Sequence, residues 1–216
     1  MVSMRNEGGF TLIEFMIAAA IAAAALGGTV MLATQLQQAY TTRLDDATVE
    51  EEARFALDWI AQALRNAGTN PYDISSLATS CAGGGTFTGI EITAGNSGIV
   101  RIHADINPPN GLIGGTAAGC AAAPEEGEDI TIAHDPDESV ITREDHSGAG
   151  GVVTMTEPVI EDLVFTFLNS SRNVTAIENQ IAFVRVQIIG RSQAHNVNLG
   201  EGATTTLETE VRVRTR

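Results

Sequence analysis

Glu14 is the side chain whose chemistry most needs explaining. It closes the stretch Gly8-Gly9-Phe10-Thr11-Leu12-Ile13-Glu14, and from Phe10 to Ala33 it is the sole charge in an apolar run. At ~1.5 Å rise per residue that run makes roughly 36 Å of helix, enough for a ~30 Å hydrocarbon core with some tilt. An ionised carboxylate placed there costs roughly 2.5 to 3.5 kcal/mol on insertion scales, so Glu14 calls for a cationic partner. A secretory signal peptide, with Ala18 to Ala25 imitating its cleavage region, or a plain signal anchor would account for the apolar run. Both leave the carboxylate unexplained.

Other reactive residues offer less. His103, His134, His146 and His195 are scattered, and none sits in a Ser, Cys or metal-ligand motif. Asp145-His146-Ser147 has the letters of a triad, but triad partners converge through the fold and not by adjacency. The glycine-rich stretches Cys81 to Gly89 and Gly148 to Gly151 lack the strand-to-helix setting of a phosphate loop and read as turns. No catalysis and no cofactor are expected. Asp129, Asp135 and Asp137, with Glu138, form a minor candidate for calcium; their spacing does not match an EF-hand loop, and solvated loop acids are the simpler reading.

The segment around Gly9 and Phe10 resembles the class III signal of type IV prepilins and type II secretion pseudopilins. That resemblance implies cleavage between Gly9 and Phe10, N-methylation of Phe10, and retention of the apolar helix. Glu14 would become the fifth mature residue, and an N-terminal ammonium, from its own or a neighbouring subunit, would be its partner. Because removing one partner of a buried ion pair costs about 3 to 5 kcal/mol, such a pair can select the axial register of subunits leaving the membrane. Two departures stand out. Gly8 occupies the place where many members carry Lys or Arg, and the helix has Gly27-Gly28 instead of a proline. Those glycines either let the helix bend on assembly or permit close packing in the membrane.

Positioning these residues requires a long helix. From Gln35 to Ala67 the chain is polar, helix-favouring and free of Pro and, beyond Gly28, of Gly, so one helix from Thr11 to Ala67, roughly 85 Å, is the economical reading. Ala53, Ala56, Leu57, Ile60, Leu64 and Ala67 recur at three- and four-residue spacing, the stripe of a helix lying on a core. Phe55 and Trp59 are expected to form one patch roughly opposite that stripe, either covered by loops or touching another subunit. Gly68 and Asn70-Pro71 end the helix. Strands are expected at Ile99 to Ile106, Asp129 to Ala133, Val140 to Arg143, Val152 to Met155, Leu163 to Leu168, Ile181 to Ile189 and Thr206 to Val213. In the last, Leu207, Thr209, Val211 and Val213 alternate with Glu208, Glu210, Arg212 and Arg214, a strand with one wet side. The expected fold class is α+β, a type IV pilin fold in which the long helix packs on a C-terminal antiparallel sheet. Its parts are a leader (1–9), a transmembrane or filament-core helix (10–36), an amphipathic helical half (37–68) and a β-rich globular domain (69–216).

Ala53-Arg54-Phe55-Ala56-Leu57-Asp58-Trp59-Ile60 and Leu64-Arg65-Asn66-Ala67-Gly68 resemble the corresponding stretch of PilW-type minor pilins, relatives of the J-type pseudopilin. Val159-Ile160-Glu161-Asp162-Leu163 and Val184-Arg185-Val186 add to that likeness. The resemblance implies a tip complex that primes pilus assembly, with other minor and major pilins, the prepilin peptidase/methyltransferase and the inner-membrane assembly platform as partners. It further implies a single-pass inner-membrane protein with a periplasmic domain, then a pilus at the cell surface. A J-type pseudopilin of type II secretion and a pilus-associated adhesin, binding through Asp73 to Gly89 and Asn107 to Asp137, are the alternatives.

Twelve Arg and no Lys against 27 acids leave a net charge of −15, the wrong sign for a phosphate-binding surface, so nucleic acid is not expected as a partner. Acids cluster from Asp45 to Asp58 and from Glu125 to Asp145, whereas Arg185, Arg191, Arg212, Arg214 and Arg216 near the end are balanced by few acids. Arg212 and Arg214 read as a contact for acidic faces of neighbouring subunits, with a DNA-contact strip as the minor alternative. Cys81 and Cys120 are the only cysteines. Without CxxC spacing they do not suggest zinc, and the family's oxidising compartment implies a disulfide contributing on the order of 3 to 4 kcal/mol.

Overall fold

Thr11-x-x-Glu14 is a capping box, and it starts a 55-residue helix, α1 (Leu12–Asn66). The structure, a computed structural model, describes residues 11–75, 77, 86–107, 109–113, 126–146, 151–192 and 204–214. The expected processing site at Gly9 and Phe10, the expected disulfide of Cys81 and Cys120, and Arg216 lie outside the described residues. The chain divides into two compact units, one up to Leu44 and one from Asp45.

In the first unit the side chains described from Thr11 to Thr41 are all exposed, including Phe15, Ile21, Leu26, Val30 and Leu36. An 18-residue window of α1 is apolar enough to cross a membrane, and none of it is buried by protein. Within this apolar segment the polar side chains satisfy themselves locally. Thr29 and Thr34 donate their hydroxyls to the carbonyls of Leu26 and Met31, each at 2.8 Å. Hydrocarbon offers no partner for a hydroxyl, so the backbone must supply one. α1 runs through Gly27-Gly28 without a break, and a Cβ at either glycine would meet nothing within 4 Å.

The second unit begins with the remainder of α1. Val49, Ala53, Ala56, Leu57, Ile60, Ala61 and Leu64 are buried, together with Ala67 just past the helix. This stripe covers two antiparallel sheets where a single sheet was expected. The five-stranded sheet runs in chain order: β1 (Ile90–Ile92), β2 (Ile99–His103), β3 (Asp129–Asp135), β4 (Val140–Asp145) and β5 (Val152–Thr154). The three-stranded sheet follows as β6 (Ile160–Leu168), β7 (Phe183–Arg191) and β8 (Thr204–Arg212). Backbone bonds tie β6 to the first sheet: Phe165 N–H donates to the Ser97 carbonyl at 2.8 Å and Ile160 N–H to that of Ser139 at 2.9 Å. One core joins the helix stripe to Ile102, Ile132 and Ile141 of the first sheet and to Leu163, Val186, Ile188 and Val211 of the second. Alternate inward residues of each strand supply it, as the pleat requires. Along β8 and just past its end, Val211 and Val213 are buried while Glu208, Arg212 and Arg214 are exposed.

Two glycines let backbone meet backbone or helix. Gly68 adopts φ +76, ends the helix and donates its N–H to the His103 carbonyl at 2.9 Å. Gly190 lies under α1, where an added Cβ would come within 2.5 Å of Val49 Cγ1.

Candidate functional site

The residue types that could act gather at the start of α1. Thr11 N–H and Thr11 Oγ1 both donate to Glu14 Oε2, at 3.0 and 2.9 Å, and Glu14 N–H lies 3.3 Å from Thr11 Oγ1. A threonine and a glutamate three apart satisfy each other's orphan groups at a helix N-terminus, and the helix dipole favours the carboxylate there. Glu14 therefore has a local pair of donors on its own chain, and its exposed surface leaves room for a cation.

The other predicted positions separate. Phe55 is 52% exposed, but Trp59 is partly buried and packs against the core. The expected joint patch opposite the core stripe is thus corrected: the large indole turns toward the sheets, while Phe55 alone faces outward. Arg212 and Arg214 are exposed. Arg185 and Arg191, expected to be balanced by few acids, are both paired: Arg185 reaches Glu208 at 3.3 Å and Glu210 at 3.4 Å, and Arg191 pairs with Glu161. Their partners come from adjacent strands.

The calcium alternative does not assemble. Asp129 and Asp135 stand at opposite ends of β3, roughly 20 Å apart at strand rise. Asp135 accepts the N–H groups of Asp137 and Glu138 in a turn. Among the described residues no three His, Cys, Asp or Glu converge to hold a metal.

Asp129 belongs to a buried group that sequence reading missed. Arg101 and His103, two apart on β2, face it across the β2/β3 register. Arg101 Nε and Nη2 donate to Asp129 Oδ1 and Oδ2 at 2.7 and 2.8 Å, a bidentate grip, and His103 Nε2 stands 3.5 Å from Oδ1. Burial pushes the Asp129 carboxyl up, but the His103 ring and the Arg101 guanidinium outweigh it and hold it at about 2. Beside it, Asp105 accepts from Asn110 and Gly111 N–H, and Glu128 accepts from Ile106 and Asn107 N–H. Glu128 thus holds the backbone at Ile106 and Asn107, and Asp105 that at Asn110 and Gly111, so their chemistry is structural. The available signal was Arg-x-His on one strand facing an Asp on the next.

A model of the prokaryotic N-terminal methylation motif matches residues 4–30. No curated protein and no solved structure matches the chain. The motif indicates a prepilin of the type IV pilin or pseudopilin kind. The α+β layout, a long apolar N-terminal helix followed by antiparallel sheets, is that of a pilin-like subunit.

Proposed function

We propose that this chain is a minor pilin, inserted as a prepilin, cut after Gly9, N-methylated on Phe10, and active in a tip complex that initiates a type IV pilus. The observation that carries the reading is the methylation motif over residues 4–30 laid on the membrane-length apolar segment of α1, whose sole acid, Glu14, sits in the first turn of the helix. A cleaved, methylated Phe10 ammonium beside Thr11 and Glu14 supplies the cation that the carboxylate lacks, and the subunit does structural work, without catalysis. The PilW-like stretch from Ala53 to Gly68 supports the minor-pilin assignment: its alanines and leucines are the residues that α1 buries on the sheets, and its glycine is the helix stop.

The test is intact mass and N-terminal sequence of the membrane-extracted protein, with and without prepilin peptidase, plus pilus counts. Methylated Phe10 at the N-terminus, and sparse pili when the chain is deleted, are the expected results. An unprocessed N-terminus, or a cut after the alanine run, overturns the reading.

A further inference from the structure

Four strands end the two sheets, and three of them are guarded against a foreign strand. At β1, Ile92 N–H donates to Glu178 Oε1 at 3.0 Å. β6 bonds back to the first sheet through Ser97 and Ser139. β8 carries Glu208, Glu210 and Arg212, and charges on an end strand discourage further pairing.

β5 has none of these devices. Val152 and Val153 are 63% and 56% exposed, and Thr154 is exposed beside them. Successive side chains of a strand point to opposite faces, so both faces of β5 stand open. The sequence from Ser147 to Thr156 holds no charge. Val153 stands opposite Arg143, and Met155 N–H donates to the Ile141 carbonyl at 2.8 Å. Backbone groups alternate in an antiparallel pair, so Val153 and Met155 turn theirs to β4, while Val152 and Thr154 turn N–H and C=O outward. Just past β5 the chain walls an open groove that holds Glu52, Phe55, Glu138 and Glu157. Glu52 accepts the Glu157 N–H at 3.3 Å. The carboxylates of Glu138 and Glu157 are exposed and carry no ion pair among the described residues.

We propose that β5 is completed by an extended, basic segment of a different protein. Its backbone pairs with Val152 and Thr154, its β-branched side chains cover Val152 and Val153, and a Lys or Arg enters the groove beside Glu138 and Glu157. Main-chain hydrogen bonds supply the attraction in such strand addition, and the flanking side chains choose the partner. Opposite charge in the groove makes that choice, and Phe55 offers the incoming cation a ring face. A second copy is disfavoured: each chain has a net charge of −15, and the arginine opposite Val153, Arg143, is already held by Asp145 at 2.7 Å. This inference goes beyond the pilin reading and does not depend on it.

The experiment titrates the fluorescein-labelled peptide Arg-Thr-Val-Thr-Val-Thr into the detergent-solubilised full chain, and follows anisotropy together with amide hydrogen exchange. The expected result is saturable binding with new protection of the Val152 to Thr154 amides. Of two peptides N-methylated at alternate positions, the one whose pairing edge is blocked binds about tenfold more weakly, a test that leaves the protein unaltered. Replacing the peptide's Arg by Glu also weakens binding about tenfold, and Glu138→Arg with Glu157→Arg in the chain reverses that preference. No binding, equal binding of both methylated peptides, binding without protection at Val152 to Thr154, or indifference to the reversed charges overturns the proposal. So does an edge already protected in the free chain: protection that grows with concentration names a second copy as the occupant, and protection independent of concentration names the chain's own residues.

Discussion

The backbone carbonyl oxygen of Arg214 sits where a side chain on Gly68 would have to be: a Cβ built on Gly68 falls 1.8 Å from it. Gly68 also holds φ +76. Sterics and backbone conformation thus agree on glycine, and the obstacle is main chain that cannot rotate away.

Gly68→Ala is expected to destabilise the globular unit by more than ~2 kcal/mol. Gly95→Ala is the control, since Gly95 has φ +82 but nothing within 4 Å of its added Cβ, and should cost about 1 kcal/mol. Trp59 is the chain's one tryptophan and packs on the core, so its fluorescence during urea unfolding of the detergent-solubilised chain reads both variants. Equal costs for the two would remove the claim that the Arg214 carbonyl sets the difference.

Gly190 and Val49 make a second close approach, this time with a side chain that can be shortened. Gly190→Ala alone should cost about 1 to 3 kcal/mol as overpacking against Val49 Cγ1. Val49→Ala in the same chain should recover part of that loss, because it removes the clashing methyls. The double-mutant cycle gives the coupling, and additive costs would show that the two positions do not meet.

Asp129 supplies a pH dependence. Its carboxyl is held at about 2 against an ordinary value of 3.8, so the folded state prefers the ionised form. The resulting stability is fully present above pH ~4, is lost as pH falls through the folded value, and amounts to about 2 kcal/mol. Asp129→Asn should flatten the urea midpoint between pH 4 and pH 2 while lowering it at pH 7. An unchanged acid limb in that variant would mean that another group carries the transition.

On the pilin reading proposed above, Glu14→Ala should leave cleavage at Gly9 intact yet abolish or thin the pili, the carboxylate acting after insertion and not on the peptidase. Glu14→Asp, a shorter acid, should restore assembly only in part. Mass spectrometry and pilus counts from the same cultures give both readouts. Normal piliation in Glu14→Ala would remove the acid from the assembly mechanism.

The elements set by short-range pattern were legible. The apolar run, the three- and four-residue stripe from Ala53 to Ala67 and the glycine stop at Gly68 all rest on periodicity or on one residue's conformational freedom. Ile90 to Ile92 escaped because three residues carry too little alternation to register as a strand. That the strands divide into two sheets also escaped, since the division lies in which strands pair, a long-range matter. Trp59 was misplaced by treating the residues four apart as one face, although the stripe is wide enough to draw the indole inward. The arginines near the C-terminus looked unbalanced because Glu161, Glu208 and Glu210 become their neighbours only across strands.

The clamp at Gly68 has a mechanical meaning. Its N–H is bonded to His103 on β2, its Cα is wedged under Arg214, and Val49 is keyed into Gly190 farther back on the same helix. A pull along this part of α1 therefore loads these contacts together, in shear, and none can be peeled away before the next bears the load. A unit built this way is expected to yield abruptly under load instead of unravelling gradually.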